Sequence, residues 1–392
     1  MLASAVYPQS SILNPQRILV RGVNWLGDAV MSTPALQRLR EARPTSHISM
    51  LTHQKLASLW TDHPDVDGVL TFESGESIFQ IARRLRPENF DVALLLPNSP
   101  RSALEVFWAG IPHRIGYARA WRRFLLTHSV PPRPERVRMR KRSLGEIRRL
   151  IASSNPPPAR AFPAEAHHIY DYLRLAAVLG ANPEPVPPRL VVRLDEVEAI
   201  KRRFEFPTGG DESPLLLGLN AGAEYGPAKR WPRERFIATA IALQKQTNCH
   251  WWILGSRADQ ELASAIAAEI QASGAASSGS VRSLAGLTSL RDLCAALRAC
   301  DVVLTNDTGP MHVAAAVGTP VVVPFGSSSP ELTGPGLPRP APQAHVLLNS
   351  RAPCAPCFRR RCPIDFRCMM NISVEQAVAA VLHVLSLRSS LR

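Results

Sequence analysis

Short apolar runs alternate along the chain with longer stretches in which apolar residues recur three and four apart. Arg17-Ile18-Leu19-Val20 is β-rich and breaks at Gly22, and residues 28–43 then follow a helical pattern with one apolar face. Residues 48–52 and 92–96 read as further strands and 77–86 as a helix, so the first half predicts parallel strand–helix–strand units. The alternation lapses where proline is dense, at 131–134 and 156–158, and a helix is expected at 168–179, ending at Gly180. After the proline-rich connector 182–188 it resumes, with strands at 215–219, 250–254, 301–304 and 321–325 and helices at 233–246, 258–272 and 290–300.

The economical reading is an α/β chain of two doubly wound, Rossmann-like domains. They span residues 17–185 and 190–372, with a closing helix at 373–388. Length agrees, since 392 residues with 45% hydrophobic and 20% charged side chains suit two buried cores. No apolar run reaches the roughly 18–20 residues of a membrane span, and residues 1–16 lack a basic region followed by an apolar core, so a cytoplasmic location is expected.

Charge changes the picture, because a net +14 calls for an acidic partner: nucleic acid, anionic lipid or a phosphorylated substrate. The excess is concentrated between residues 114 and 149, where twelve Arg and Lys face only Glu135 and Glu146. That stretch is either a contact surface, with Arg119, Arg122 and Arg123 as candidates, or a solvated arginine-rich loop. Nucleic acid is not the expected partner, for no aromatic stacking motif or zinc-finger spacing accompanies the arginines.

Candidate chemistry lies on the strand-to-helix loops, where open α/β sheets bind ligands. In Thr305-Asn306-Asp307-Thr308-Gly309-Pro310-Met311-His312 a buried run hands over to a helix whose unpaired N–H groups and dipole suit a diphosphate. Asp307 or Thr308 can equally be a helix cap, and His312 a ligand contact or a structural histidine. Gly22-Val23-Asn24-Trp25-Leu26-Gly27-Asp28 is an incomplete glycine-rich fingerprint. Asp28 there is either an N-cap or a carboxylate, kept ionised by the helix dipole, that takes a proton from an attacking hydroxyl. In the segment from Asn220 to Pro232 the adjacent cations Lys229 and Arg230 can neutralise a departing diphosphate, the alternative being a surface lysine. Gly255-Ser256-Arg257-Ala258-Asp259-Gln260-Glu261 offers an acid for ribose hydroxyls or an ordinary helix start, and Gly326-Ser327-Ser328-Ser329-Pro330 offers hydroxyls and backbone donors.

Cys249, Cys294 and Cys300 sit in apolar surroundings and are expected to pack as small hydrophobes. Cys354, Cys357, Cys362 and Cys368 are closely spaced, the first pair at metal-ligand spacing, which leaves open a structural zinc or reduced, redox-active thiols.

Together these loops resemble those of the bacterial lipopolysaccharide heptosyltransferases, glycosyltransferase family 9, and are most similar to its type II members. The resemblance runs from residue 17 to 372 and rests on Gly27-Asp28 with Pro34-Ala35-Leu36, on residues 226–232, on Asn306-Asp307-Thr308-Gly309 with Met311-His312-Val313-Ala314-Ala315, and on residues 326–330. It implies a GT-B enzyme whose domains face a cleft, acting by inverting transfer of L-glycero-D-manno-heptose from ADP-heptose to the heptose/Kdo inner core, without a required cofactor. Asp28 matches the general base, Lys229 the cation on departing ADP, and Asp307, Thr308, Gly309 and His312 donor-binding positions; Glu261 is carried over as a ribose contact. Asn220, Arg230 and Ser256 join the donor set as members of the same loops. The basic stretch lies in what resembles the acceptor domain, implying peripheral contact with anionic lipid at the inner face of the inner membrane. A type I acceptor, another acceptor, or GT-B nucleotide-sugar epimerisation are the alternatives, and the interval 131–164 does not align.

Overall fold

The computed structural model describes residues 14–153, 162–207, 214–277, 279–336 and 345–389. The prolines at 156–158 and most of the opening segment lie outside the described residues. Two compact units emerge, one formed by the chain up to Arg136 with His168–Val191, the other by Val137–His167 and the chain from Val192 onward.

In the first unit β1 (Arg17–Arg21), β2 (His47–His53), β3 (Gly68–Phe72), β4 (Val92–Leu95), β5 (His113–Tyr117) and β6 (His128–Val130) form a parallel sheet in the order β3-β2-β1-β4-β5-β6. Parallel strands covered on both faces read as unbroken apolar runs, as Ile18-Leu19-Val20 does. The helical pattern of 28–43 becomes two helices, α1 (Leu26–Met31) and α2 (Thr33–Ala42). Pro34 lacks an N–H and fits only the first turn of a helix, so a new helix starts there. On one sheet face α3 (Ile78–Leu85) and α4 (Pro100–Trp108) pack Ile81, Ala82, Leu85, Ala103 and Val106 against Phe72, Ala93 and Leu95. After α5 (Leu144–Ala152), which belongs to the second unit, the chain returns with α6 (Ile169–Ala177), which packs on α2.

The second unit repeats the plan. Its strands β7 (Leu216–Asn220), β8 (His250–Ile253), β9 (Val281–Ser283), β10 (Val302–Thr305), β11 (Val321–Phe325) and β12 (Val346–Asn349) are parallel in the order β12-β11-β10-β7-β8-β9. The Asp301 carboxylate accepts from the Leu216 N–H at 2.9 Å and ties the entry of β7 to that of β10. Helices α7 (Leu194–Arg203), α8 (Arg233–Thr247), α9 (Gln260–Ala272), α10 (Leu290–Ala299), α11 (Gly309–Ala316), α12 (Pro330–Thr333), α13 (Arg367–Met370) and α14 (Val374–Ser389) complete it. Ile147 of α5 is buried in this unit's core beside residues of the β7, β8 and β10 strands and α14. Both sheets reverse direction of growth at one place, between β1 and β4 and between β7 and β10, where doubly wound folds bind their ligands.

Candidate active site

In the first unit the chain leaves β1 at its switch point through Gly22, whose N–H donates to the Leu51 carbonyl at 2.9 Å. A Cβ at Gly22 would lie 2.8 Å from the Met50 sulfur, so this close approach needs glycine. The loop is braced by a buried ion pair, Arg21 Nε donating to Glu105 Oε2 at 2.8 Å, while the same guanidinium donates to the Gly22 carbonyl and to Asn24 Oδ1. Trp25 holds the N-cap position of α1 and Asp28 lies in its first turn, half-exposed, so Asp28 is not the cap residue. Its Oδ1 accepts from the Tyr172 hydroxyl of α6 at 3.3 Å. Burial first, then the Asp28 charge, pushes the Tyr172 phenol well above its ordinary range, so it stays a donor. Beside them burial lowers the His168 pKa against the opposing pull of Asp171 and Asp28, and keeps the imidazole neutral near pH 7. Asp171 in turn accepts from Arg133 Nε at 2.8 Å and pairs with Arg136 at 3.3 Å. Part of the arginine-rich stretch is therefore internal, holding α6.

The three acceptor candidates divide. Arg119 and Arg123 are exposed, whereas Arg122 is fully buried with Nη1 donating to Asn98 Oδ1 at 3.4 Å. Its Nε and Nη2 have no hydrogen-bond partner among the described residues, and burial, then Arg119, pulls its pKa down to about 10. A Cβ at Gly116 would meet Nη2 at 2.7 Å, so Gly116 is what leaves room for this guanidinium.

In the second unit Asn220 ends β7, buried, donating through Nδ2 to Thr305 Oγ1 at 3.2 Å across the switch point. The following loop turns at Gly226, φ +151°, against the Arg360 carbonyl, and a short 3-10 turn presents Lys229. Asn306 fixes this loop from the β10 side, accepting from the Trp231 N–H at 2.9 Å and donating to the Ala221 carbonyl at 2.7 Å. Lys229 Nζ meets Asp307 Oδ2 at 2.6 Å and lies 5.2 Å from the centre of the Tyr225 ring. The same Asp307 oxygen accepts from the Ser328 hydroxyl, so three loops converge on one buried carboxylate. Thr308 is the N-cap of α11, yet its side chain makes no capping hydrogen bond, leaving its hydroxyl and the first turn at Gly309 partly open. His312 is buried one turn further on, and Arg230 is exposed with Nη2 donating to the Ala223 carbonyl at 3.4 Å. Ser256 caps the turn before α9, donating to Asp259 Oδ2 at 2.6 Å, and Glu261 is exposed on α9's first turn. The Asp259 carboxylate reaches the β7 loop, 2.8 Å from where a Gly222 Cβ would be.

Sequence reasoning missed Arg21, Glu105, Tyr172 and Asp259. A charged residue ending an apolar strand and another on the apolar face of α4 were the available signal for the first two. Nothing in spacing links Tyr172 to Asp28.

Cys249 and Cys294 are buried, which pushes their thiols up to about 11 and about 12, as expected of packing cysteines. Cys354, Cys357 and Cys368 are buried and Cys362 half-buried, and all four border one small void with Ser327 and Arg367. Burial, then the neighbouring thiols, raises Cys368 to about 12. Among the described residues no three His, Cys, Asp or Glu side chains are gathered closely enough to hold a metal ion.

Two doubly wound units of the same strand order, the second with a lysine and a helix N-terminus at its switch point, are the architecture of GT-B glycosyltransferases. The chain belongs to glycosyltransferase family 9, the heptosyltransferases, whose profile matches residues 78–144 and 140–366. It is 32% identical over 328 residues to lipopolysaccharide heptosyltransferase 2 of Escherichia coli K12, covering 81% of this chain and 85% of that protein. It is 33% identical over 359 residues to lipopolysaccharide heptosyltransferase 1 of Pseudomonas aeruginosa, covering 88% and 87%. The solved structure of E. coli ADP-heptose LPS heptosyltransferase II superposes with a TM-score of 0.71 at 26% identity, covering 95% of this chain and 99% of that one.

Proposed function

We propose that this protein transfers L-glycero-D-manno-heptose from ADP-heptose to a heptose hydroxyl of the lipopolysaccharide inner core, with inversion. The observation that carries the donor side is Lys229 held on Asp307 beside the open first turn of α11. A diphosphate at that turn gains backbone donors, the helix dipole and one ammonium. Asp28 takes the proton of the acceptor hydroxyl as its oxygen bonds to the anomeric carbon, and the bond from that carbon to the diphosphate breaks, its electron pair leaving on ADP. Lys229 offsets the charge that grows on ADP. Asp307, which would repel the diphosphate if it faced it unpaired, orients Lys229 and accepts from donor hydroxyls. Thr308, Gly309, His312, Asn220, Arg230, Ser256 and Glu261 complete the donor set, and the exposed Arg119 and Arg123 face the acceptor's phosphates and carboxylates, whereas Arg122, buried against Asn98, braces the turn that carries them. No cofactor takes part. For Cys354, Cys357, Cys362 and Cys368, which border one void without being gathered closely enough to hold a metal ion, free thiols are the reading favoured over a structural zinc; stoichiometric zinc in protein purified without oxygen would reverse it.

The test is ADP release from ADP-heptose with mono-heptosylated Kdo-lipid A, with the non-heptosylated acceptor, and with none. Turnover on the mono-heptosylated acceptor alone is expected. Preference for the other acceptor would make this a type I enzyme, and a changed sugar nucleotide without acceptor would make it an epimerase.

A further inference from the structure

Among the described residues, large aromatic side chains are exposed on the first unit and not on the second. Among the described residues the exposed Trp and Phe are Trp25, Phe79, Phe107, Trp108, Trp121 and Phe124, all in the first unit. Five of them are joined. Phe79 of α3 and Trp108 of α4 are 5.4 Å apart between ring centres, and Phe107 and Trp108 5.8 Å. The Arg114 guanidinium stands 5.3 Å over Phe107 and donates through Nε to the Leu125 carbonyl at 2.7 Å, which links α4 to the 3-10 turn Ala120–Leu125. On that turn Trp121 is 52% and Phe124 73% exposed, and Arg123 lies 4.8 Å over the Phe124 ring. Ala118, Arg119, Trp121, Arg123 and Phe124 border an open depression there.

We propose that this face, Phe79, Phe107, Trp108, Trp121 and Phe124 with Arg119 and Arg123, seats the first unit on an anionic lipid bilayer. Core packing does not account for these rings, because the same two helices bury other residues, Ile81, Ala82, Leu85, Ala103 and Val106, against the sheet. Indole and phenyl rings favour the headgroup level of a bilayer, and guanidinium groups beside them attract anionic headgroups. The mixture of aromatics and arginines without an acid among the seven is complementary to a negative surface. The turn that carries the outer pair also has Arg122 between them directed inward to Asn98, on the loop following β4 at the switch point. A surface docked on the membrane by Trp121 and Phe124 thus adjoins the crest where a lipid-borne acceptor would be received, and in this the inference rests on the proposed function.

The experiment uses the full chain and vesicles of phosphatidylcholine with or without about one third phosphatidylglycerol, read by co-sedimentation and by tryptophan emission. Partitioning about tenfold stronger on the anionic vesicles is expected, falling about tenfold in the double variant Trp121→Ser, Phe124→Ser and weakening as salt rises. Both positions are exposed, so thermal unfolding should stay as in the parent, and turnover on a deacylated, water-soluble acceptor should be retained. Vesicle binding that the double variant does not alter would overturn the inference. So would a parent that ignores the vesicles and forms a dimer that the variant loses, since a second copy would then be the occupant. Normal vesicle binding without turnover on any acceptor would instead overturn the transferase reading and leave this surface standing.

Discussion

Asp28 and Tyr172 are 144 positions apart in the chain and share one hydrogen bond of 3.3 Å, which gives the proposed base a fixed direction. Asp28→Asn keeps the shape and removes the proton acceptor, so kcat should fall about 10²- to 10⁴-fold while calorimetry still detects ADP-heptose binding. Tyr172→Phe removes only the donor to Asp28; kcat should drop by up to about tenfold with donor KM unchanged. Equal losses in both parameters would assign Tyr172 to donor binding instead. Lys229 differs, because its partner Asp307 is buried and would be left unpaired by truncation. Lys229→Ala should therefore lower kcat/KM about 10²-fold and also lower the melting temperature, whereas Lys229→Arg should recover the stability more than the rate.

At the scale of elements, the edge of the second sheet carries a pH dependence. His345, just before β12, accepts through Nδ1 from the Val321 N–H that opens β11, at 3.3 Å, and burial lowers its pKa to about 4. Protonation removes that acceptor. Because the folded value lies below the unfolded one of about 6.5, the unfolded chain binds the extra proton first, and stability present above pH 6.5 is lost as pH falls towards 4. Urea midpoints at pH 7.5 and 5.5 should differ more for the parent than for His345→Gln.

Elements that were legible from pattern alone were those buried on both faces or amphipathic over two turns or more. Val321–Phe325 has the bounds expected of it, and α8, α9 and α10 fall within two residues of theirs. The edge strands β3, β6, β9 and β12 were not legible, being short or only partly buried, and neither was the division of residues 28–43 at Pro34. The site loops were legible because glycines and polar residues interrupt apolar runs at β1, β7, β8, β10 and β11. Their connections were not, since the bonds from Asn306 to Trp231 and from Asp307 to Lys229 and Ser328 depend on which strands are neighbours.

At the scale of the molecule, the second unit is built from two separate stretches of chain. Ile147 of α5 is buried in its main core, and Phe162 and Ala166 pack with Leu332 and Phe358 in a smaller cluster. A fragment beginning at Val192 lacks these side chains, so it should melt lower and aggregate more readily than one beginning at Val137, as scanning calorimetry and light scattering would show. On the ribosome the same division sets an order of events. The α5 segment emerges before nearly all the strands and helices it packs on exist, at synthesis rates of about 5–20 residues per second, so its apolar face waits for seconds in water. Meanwhile α6, made directly after it, can already close the first unit, so the earlier half of the nascent chain is able to finish folding while a loop of it remains unclaimed.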